Sequence, residues 1–187
     1  MLLKDCATYV SDRIDSIHLS DTTYISTDNM LPDRRGIEPS SCVPNKGNVT
    51  AFKPGDILLS NIRPYFKKIW LADRSGGCCA DVLVLRADRR KMLPEILYLI
   101  LSQDSFFEYV MAGAKGSKMP RGDKQQIMTY PVVLPSEEEL AGFNTIASPL
   151  LEQIYSNRAE NKRLSILRDN LLPKLMSGEI NVSAVEI

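Results

Sequence analysis

Between residues 147 and 175 the chain repeats a spacing of three and four, reading Ala147, Leu150, Ile154, Asn157, Asn161, Leu164, Arg168, Leu171 and Leu175. That period puts all of them on one stripe of an α-helix, so the fold has to accommodate a rod. From Pro149 to Met176 the rod would run about 42 Å at 1.5 Å per residue, longer than one face of a domain of this size can cover. The stripe is apolar at both ends and polar in the middle. This predicts a partner helix, with Leu150, Ile154, Leu164, Leu171 and Leu175 driving association and Asn157 and Asn161 fixing register and partner number. The alternative is an amphipathic helix lying on its own domain. Ser148-Pro149 reads as a cap followed by proline in the first turn. Pro173 and Gly178 mark the far end, where Lys174 suits the carbonyl terminus.

A shorter helix precedes the rod. Ser136 stands three residues before Glu139, the reciprocal arrangement that satisfies orphan amides at a helix start, and the acids at 137–139 suit the positive end of the dipole. Upstream of Ser136 the chain alternates short apolar runs with Gly, Pro, Asn and Asp, the pattern of strands and loops. Strands are expected over 56–62, 68–72, 81–86 and 131–134. Helices are expected over 94–101, with proline at its start, and from Ser105, capped with Glu108, through Met111. Between that last helix and the last strand lies Gly113-Ala114-Lys115-Gly116-Ser117-Lys118-Met119-Pro120-Arg121-Gly122, three glycines with three cations. The chain therefore divides into a sheet-bearing part, residues 1–135, and a helical part, residues 136–187, an α+β organisation.

Most enzyme chemistries fail on inventory. The single histidine, His18, lies in a polar stretch without a Cys or Ser motif beside it, which disfavours a catalytic triad. Cys6, Cys42, Cys78 and Cys79 lack the spacing of zinc sites and read as small hydrophobes. The glycines of 113–122 match neither the phosphate-cradling loop that ends in Gly-Lys-Ser/Thr nor the dinucleotide fingerprint. Asn48-Val49-Thr50 and Arg121-Gly122-Asp123 fit glycosylation and adhesion patterns by chance, and Asn61-Ile62-Arg63-Pro64-Tyr65 lacks the paired prolines of an amino-methyltransferase motif. No metal or cofactor is expected. No stretch approaches the roughly 18 apolar residues of a membrane span, and no export signal opens the chain, so a cytoplasmic location is expected.

Charge is neutral in sum, 23 basic against 23 acidic residues, and uneven in place. Positions 34–124 hold 16 basic and 9 acidic residues, whereas the first 33 hold 2 and 6. If the excess shares a face, that segment meets phosphates; otherwise it is an ordinary solvated surface.

Four segments together resemble the specificity subunit of type I restriction-modification systems. They are Gly55-Asp56-Ile57-Leu58-Leu59-Ser60-Asn61-Ile62-Arg63-Pro64-Tyr65; the Gly116–Arg121 loop; Pro131-Val132-Val133-Leu134-Pro135 leading into an acidic helix start; and Leu167-Arg168-Asp169-Asn170-Leu171-Leu172-Pro173-Lys174-Leu175-Met176-Ser177-Gly178-Glu179-Ile180. The terminal Leu-Leu-Pro-Lys-Leu-x-Ser-Gly-Glu-Ile is the most specific of them. In that family a full subunit carries two target recognition domains and two long helices that pair antiparallel as a spacer; this chain has one of each.

The resemblance implies a non-enzymatic, sequence-specific DNA-reading subunit. Its mixed or antiparallel twisted sheet domain, with short flanking helices, would be followed by a long C-terminal helix used for coiled-coil dimerisation. Two copies would rebuild a complete reader of a bipartite, palindromic site. The implied partners are double-stranded DNA, a methyltransferase subunit that carries S-adenosylmethionine and modifies adenine, a restriction/translocase subunit, and a second copy of the chain. A stand-alone DNA-binding regulator and a truncated, silent specificity cassette are the alternatives. The expected DNA contacts are Arg63, Lys67 and Lys68 around the second strand and Lys115, Ser117, Lys118 and Arg121 in the glycine loop, with Gln125 and Gln126 as further candidates for reading adenine.

Overall fold

The computed structural model describes residues 1–116 and 118–180 and divides them into two compact units, one ending at Leu134 and one beginning at Pro135. The first unit is built on two four-stranded sheets. Strands β1 (Ala7–Tyr9), β2 (Arg13–Asp15), β3 (Tyr24–Ile25), β4 (Asn48–Phe52), β5 (Ile57–Ser60), β6 (Ile69–Leu71), β7 (Gly76–Cys78) and β8 (Val82–Ala87) sort into the orders β1-β8-β5-β6 and β2-β4-β7-β3. All pairs are antiparallel except β3 with β7, so the sheets are mixed and antiparallel as expected.

The three strands legible in the sequence are β5, β6 and β8, adjacent in the first sheet and buried on both faces. Burial on both faces removes the polar alternation of a half-exposed strand and leaves a continuous apolar run. Leu58, Trp70, Val82 and Val84 join Phe52, Cys78, Ile25 and Met30 of the other sheet and its loops in one core cluster. Phe52 and Trp70 meet edge to face, 5.7 Å between ring centroids. Gly76 is dictated by this packing. A Cβ there would lie 2.1 Å from the Thr23 carbonyl oxygen and 2.6 Å from Cζ of Phe52.

Helices α1 (Pro94–Leu101) and α2 (Asp104–Ala112) pack against one another, and α1 also packs on β6 and β8. The short α3 (Lys124–Ile127) follows, capped by the Asp123 carboxylate, which accepts from the amides of Gln125 and Gln126. Two local expectations fail here. Ser105 does not cap α2; its hydroxyl shares a hydrogen bond with Tyr130, and the cap position is Gln103, whose side chain makes no cap bond. Residues 131–134 form no strand, only a bridge from Pro131 to Leu2. Prolines at 131 and 135 withhold ladder donors, and Val133 is left 83% exposed.

The second unit is one helix, α4 (Glu137–Met176), of 40 residues and about 60 Å at 1.5 Å per residue. Its start carries the expected capping box between Ser136 and Glu139. The expected break at Ser148-Pro149 is absent and both Pro149 and Pro173 lie inside the helix. A proline removes only one amide donor and bends rather than ends a helix whose flanks are good helix formers. Leu150, Ile154, Leu164, Leu171 and Leu175 are between 37% and 60% exposed. Asn157 and Asn161 are exposed as well, with Asn157 accepting from Gln153 one turn away.

Candidate nucleic-acid interface

The β5–β6 connection begins at Asn61, which is buried because its amide donates to the Asp81 carbonyl and its carbonyl accepts from Gly122. At Arg63 the chain turns left-handed, Pro64–Phe66 form a single 3-10 turn, and Lys67 turns left-handed again. Such backbone is costly for residues with a side chain and persists where neighbours hold it. Here the Arg63 amide donates to the Pro120 carbonyl, and the carbonyls of Phe66 and Lys67 accept from the amides of Asp33 and Arg34. Arg63 and Lys67 are thus set at the ends of a loop turn, not on the solvent face of a sheet.

The glycine-rich loop lies beside this turn. Lys115 and Arg121 exchange both backbone hydrogen bonds at 2.9 Å, and Gly116 adopts a φ of +96° to let the chain reverse. Arg121 also bridges to Ile62, so the two loops are joined at Ile62–Arg121, Arg63–Pro120 and Asn61–Gly122. Segment 61–68 carries three cations and segment 113–122 another three, with no acid in either. The six cations expected at the interface lie on or beside these joined loops; Ser117 lies outside the described residues.

Their side chains differ in what they have left to offer. Lys67 ion-pairs with Asp104 at 2.9 Å, and Arg34 binds the same carboxylate oxygen. Those hydrogen bonds, from Lys67 first and Arg34 next, hold the Asp104 carboxyl below its ordinary pKa. Lys115 pairs with Asp123 at 3.0 Å and, with the amides of Gln126 and Gln125, lowers that carboxyl too. Arg121 pairs with Asp81 at 3.0 Å. Lys68 is committed to internal contacts, since its ammonium donates to the Thr27 carbonyl and sits 5.8 Å from the centre of the Phe66 ring. Among the described residues, Arg63 and Lys118 have no ionic partner, and Nε of Arg63 is buried without a hydrogen bond.

Gln126 is engaged in packing: its amide donates to the Tyr109 carbonyl and its side chain fills the space over Gly113, while Gln125 is exposed. Two features of this arrangement escape the sequence. Arg34 reaches it from a remote turn with no pattern linking it to Asp104. Tyr65, the last residue of the Gly55–Tyr65 segment, and its neighbour Phe66, which no motif singles out, are exposed rings.

The arrangement suits ligand binding by cations on hydrogen-bonded backbone. Among the described residues no group of His, Cys, Asp and Glu could hold a metal ion. Burial, aided by neighbouring Cys79, pushes the Cys78 thiol up to about 12, which makes it inert as a thiolate. No described helix is long and apolar enough to cross a membrane.

No protein-family model matches the chain. It is 36% identical over 87 residues to the type I restriction enzyme HindI specificity subunit of Haemophilus influenzae, covering 46% of this chain and 19% of that one. It is 32% identical over 92 residues to the MjaIX specificity subunit of Methanocaldococcus jannaschii, covering 49% and 21%. The matched segments thus span about a fifth of those relatives. Among solved structures, a type I restriction-modification complex, described for its assembly and conformational transition, contains a chain that matches all of this one with a TM-score of 0.62 at 18% identity, over 50% of its own length. The HsdS subunit of Thermoanaerobacter tengcongensis gives 0.59 at 19% identity, again over all of this chain and 50% of that one. The type I S subunit of M. genitalium gives 0.61 at 15%, over 95% and 45%.

Proposed function

Since the chain is a relative of type I restriction-modification specificity subunits in sequence and shares their fold, we propose that it is a DNA-reading subunit that directs a methyltransferase and a restriction/translocase subunit to a bipartite site. It does no chemistry itself. The joined loops 61–68 and 113–122 carry this reading: six cations and no acid, on backbone held rigid by hydrogen bonds between the loops. Arg63 and Lys118 meet phosphate first, having no internal ion pair to give up. Lys67, Lys115 and Arg121 exchange a carboxylate for a phosphate oxygen, so their acids set the side chains in place before DNA arrives. Lys68 and Gln126 support the loops from behind.

The seam of α4 is assigned to the same seam of a second copy. What supports this is a row of exposed leucine and isoleucine, interrupted by two asparagines, on a helix of about 60 Å. A two-fold axis through two such helices places two recognition units on inverted half-sites, with the rod setting the gap.

The test is the binding of the full chain to duplex DNA as a function of salt. Log affinity is expected to fall linearly with log salt, and Lys118→Ala is expected to weaken binding to all sequences and reduce the slope by about one per copy bound. An unchanged slope in the variant would remove Lys118 from the interface, and the absence of any salt-dependent binding by the wild type would overturn the reading.

A further inference from the structure

We propose that the exposed ring pair Tyr65–Phe66 is the part of this unit that packs against the bases of bound double-stranded DNA, while the cations around it engage the flanking phosphates. The proposal rests on the reading that the unit binds duplex DNA. Tyr65 is 47% and Phe66 39% exposed, at a turn where burying both rings would be the cheaper arrangement for an isolated protein. The rings lie 4.7 Å apart between centroids, tilted by 54°, and present one apolar knuckle.

The knuckle is held for contact. Left-handed residues stand on both sides of it, Arg63 and Lys67, and Pro64 fixes its first backbone angle. The Arg63 amide is tied to Pro120, the Phe66 carbonyl to Asp33, and the Lys67 ammonium to Asp104, while the Lys68 ammonium sits against the Phe66 ring. A knuckle so fixed loses little freedom on binding, which leaves more of its contact energy as affinity.

Charge selects the occupant. An apolar protein partner would not require Arg63 and Lys67 at the two ends of the turn, with Lys118 and Arg121 on the loop hydrogen-bonded to it, whereas a duplex presents phosphates at the rim of a groove and apolar base surface within it. Phosphate contacts carry no sequence information, so an apolar contact at the base level is where these loops would discriminate between sequences.

The experiment uses the full chain and duplexes it retains from a random-sequence library, with a scrambled duplex of the same length for comparison. Tyr65→Ala and Phe66→Ala are each expected to weaken binding to the retained duplex about tenfold. Affinity for the scrambled duplex and the salt slope should stay as in the wild type, and Tyr65→Phe should keep most of the preference. Because Phe66 also packs on Lys68, thermal melting accompanies each variant, and Tyr65→Ala, at the more exposed ring, decides the outcome if Phe66→Ala melts early. Variants that prefer the retained duplex as the wild type does would overturn the role of the rings and leave DNA binding intact. A wild-type chain that retains no duplex would overturn both.

Discussion

Arg63 and Lys67 hold left-handed backbone conformations, with φ of 48° and 51°, at the two ends of the one turn Pro64–Phe66. Two cations are thereby fixed on either side of the exposed rings by backbone geometry. The conformation has an energetic signature, because a left-handed residue with a Cβ costs roughly 1 kcal/mol that glycine avoids. Lys67→Gly and Lys67→Ala both lose the ion pair to Asp104. The glycine variant is expected to be the more stable by about 1 kcal/mol, measured by denaturant unfolding of the two side by side.

Asp104 joins two loops, taking Lys67 and Arg34 on one oxygen. Its carboxyl is held below the ordinary range by those partners, so its contribution to stability is fully present above the unfolded pKa and is lost as pH falls through the folded pKa. Asp104→Asn should therefore melt below the wild type at neutral pH, and the gap should close as the pH is lowered past the ordinary carboxylate range. The carboxylate is exposed, so added salt should narrow the gap as well. A gap that is constant with pH would mean that the ion pairs contribute nothing.

Within the sheet β2-β4-β7-β3, the backbone leaves no room for a side chain at Gly76. A methyl group there meets the Thr23 carbonyl and the Phe52 ring, one of them backbone and the other locked against Trp70. Gly76→Ala is expected to destabilise the sheet unit by at least about 3 kcal/mol, since neither neighbour can rotate away. Equilibrium unfolding with Trp70 fluorescence, the single tryptophan, reads this directly.

The proposed pairing of two copies along α4 implies a register. If Asn157 of one copy faces Asn161 of the other in an antiparallel pair, then Ile154 faces Leu164, Ala147 faces Leu171 and Phe143 faces Leu175. The mismatch falls at Leu150 against Arg168, whose long stem can cover the leucine while its charge reaches water. Ile154→Cys and Leu164→Cys, mixed as two separate single variants, should form a disulfide-linked dimer under mild oxidation, and neither alone should do so efficiently. Cross-links of each variant to itself would instead indicate a parallel pair, and a monomer in gel filtration with light scattering would remove the dimer.

How much of this was legible in the sequence depended on burial. Residues 57–59, 69–71 and 82–85 stood out because both faces are covered and nothing polar interrupts them. Strands β1, β2 and β3, two or three residues long, carry too little pattern to separate from loops. The capping box at Ser136 was readable because it is local, whereas Pro149 misled because a proline that starts a helix and one that a helix tolerates look alike in sequence. On the joined loops the cations were visible as composition, but which of them are tied to acids was not. The pairs Lys67–Asp104 and Arg121–Asp81 join residues 37 and 40 positions apart, and only the fold brings them together.

Mapping methylated bases across the host genome, with the gene intact, deleted and restored, tests the proposed role in one step. Two inverted half-sites at a fixed separation should lose methylation on deletion and regain it on restoration, and Lys118→Ala together with Arg63→Ala should restore it poorly. A methylation pattern identical in all three strains would mean that this chain guides no methyltransferase.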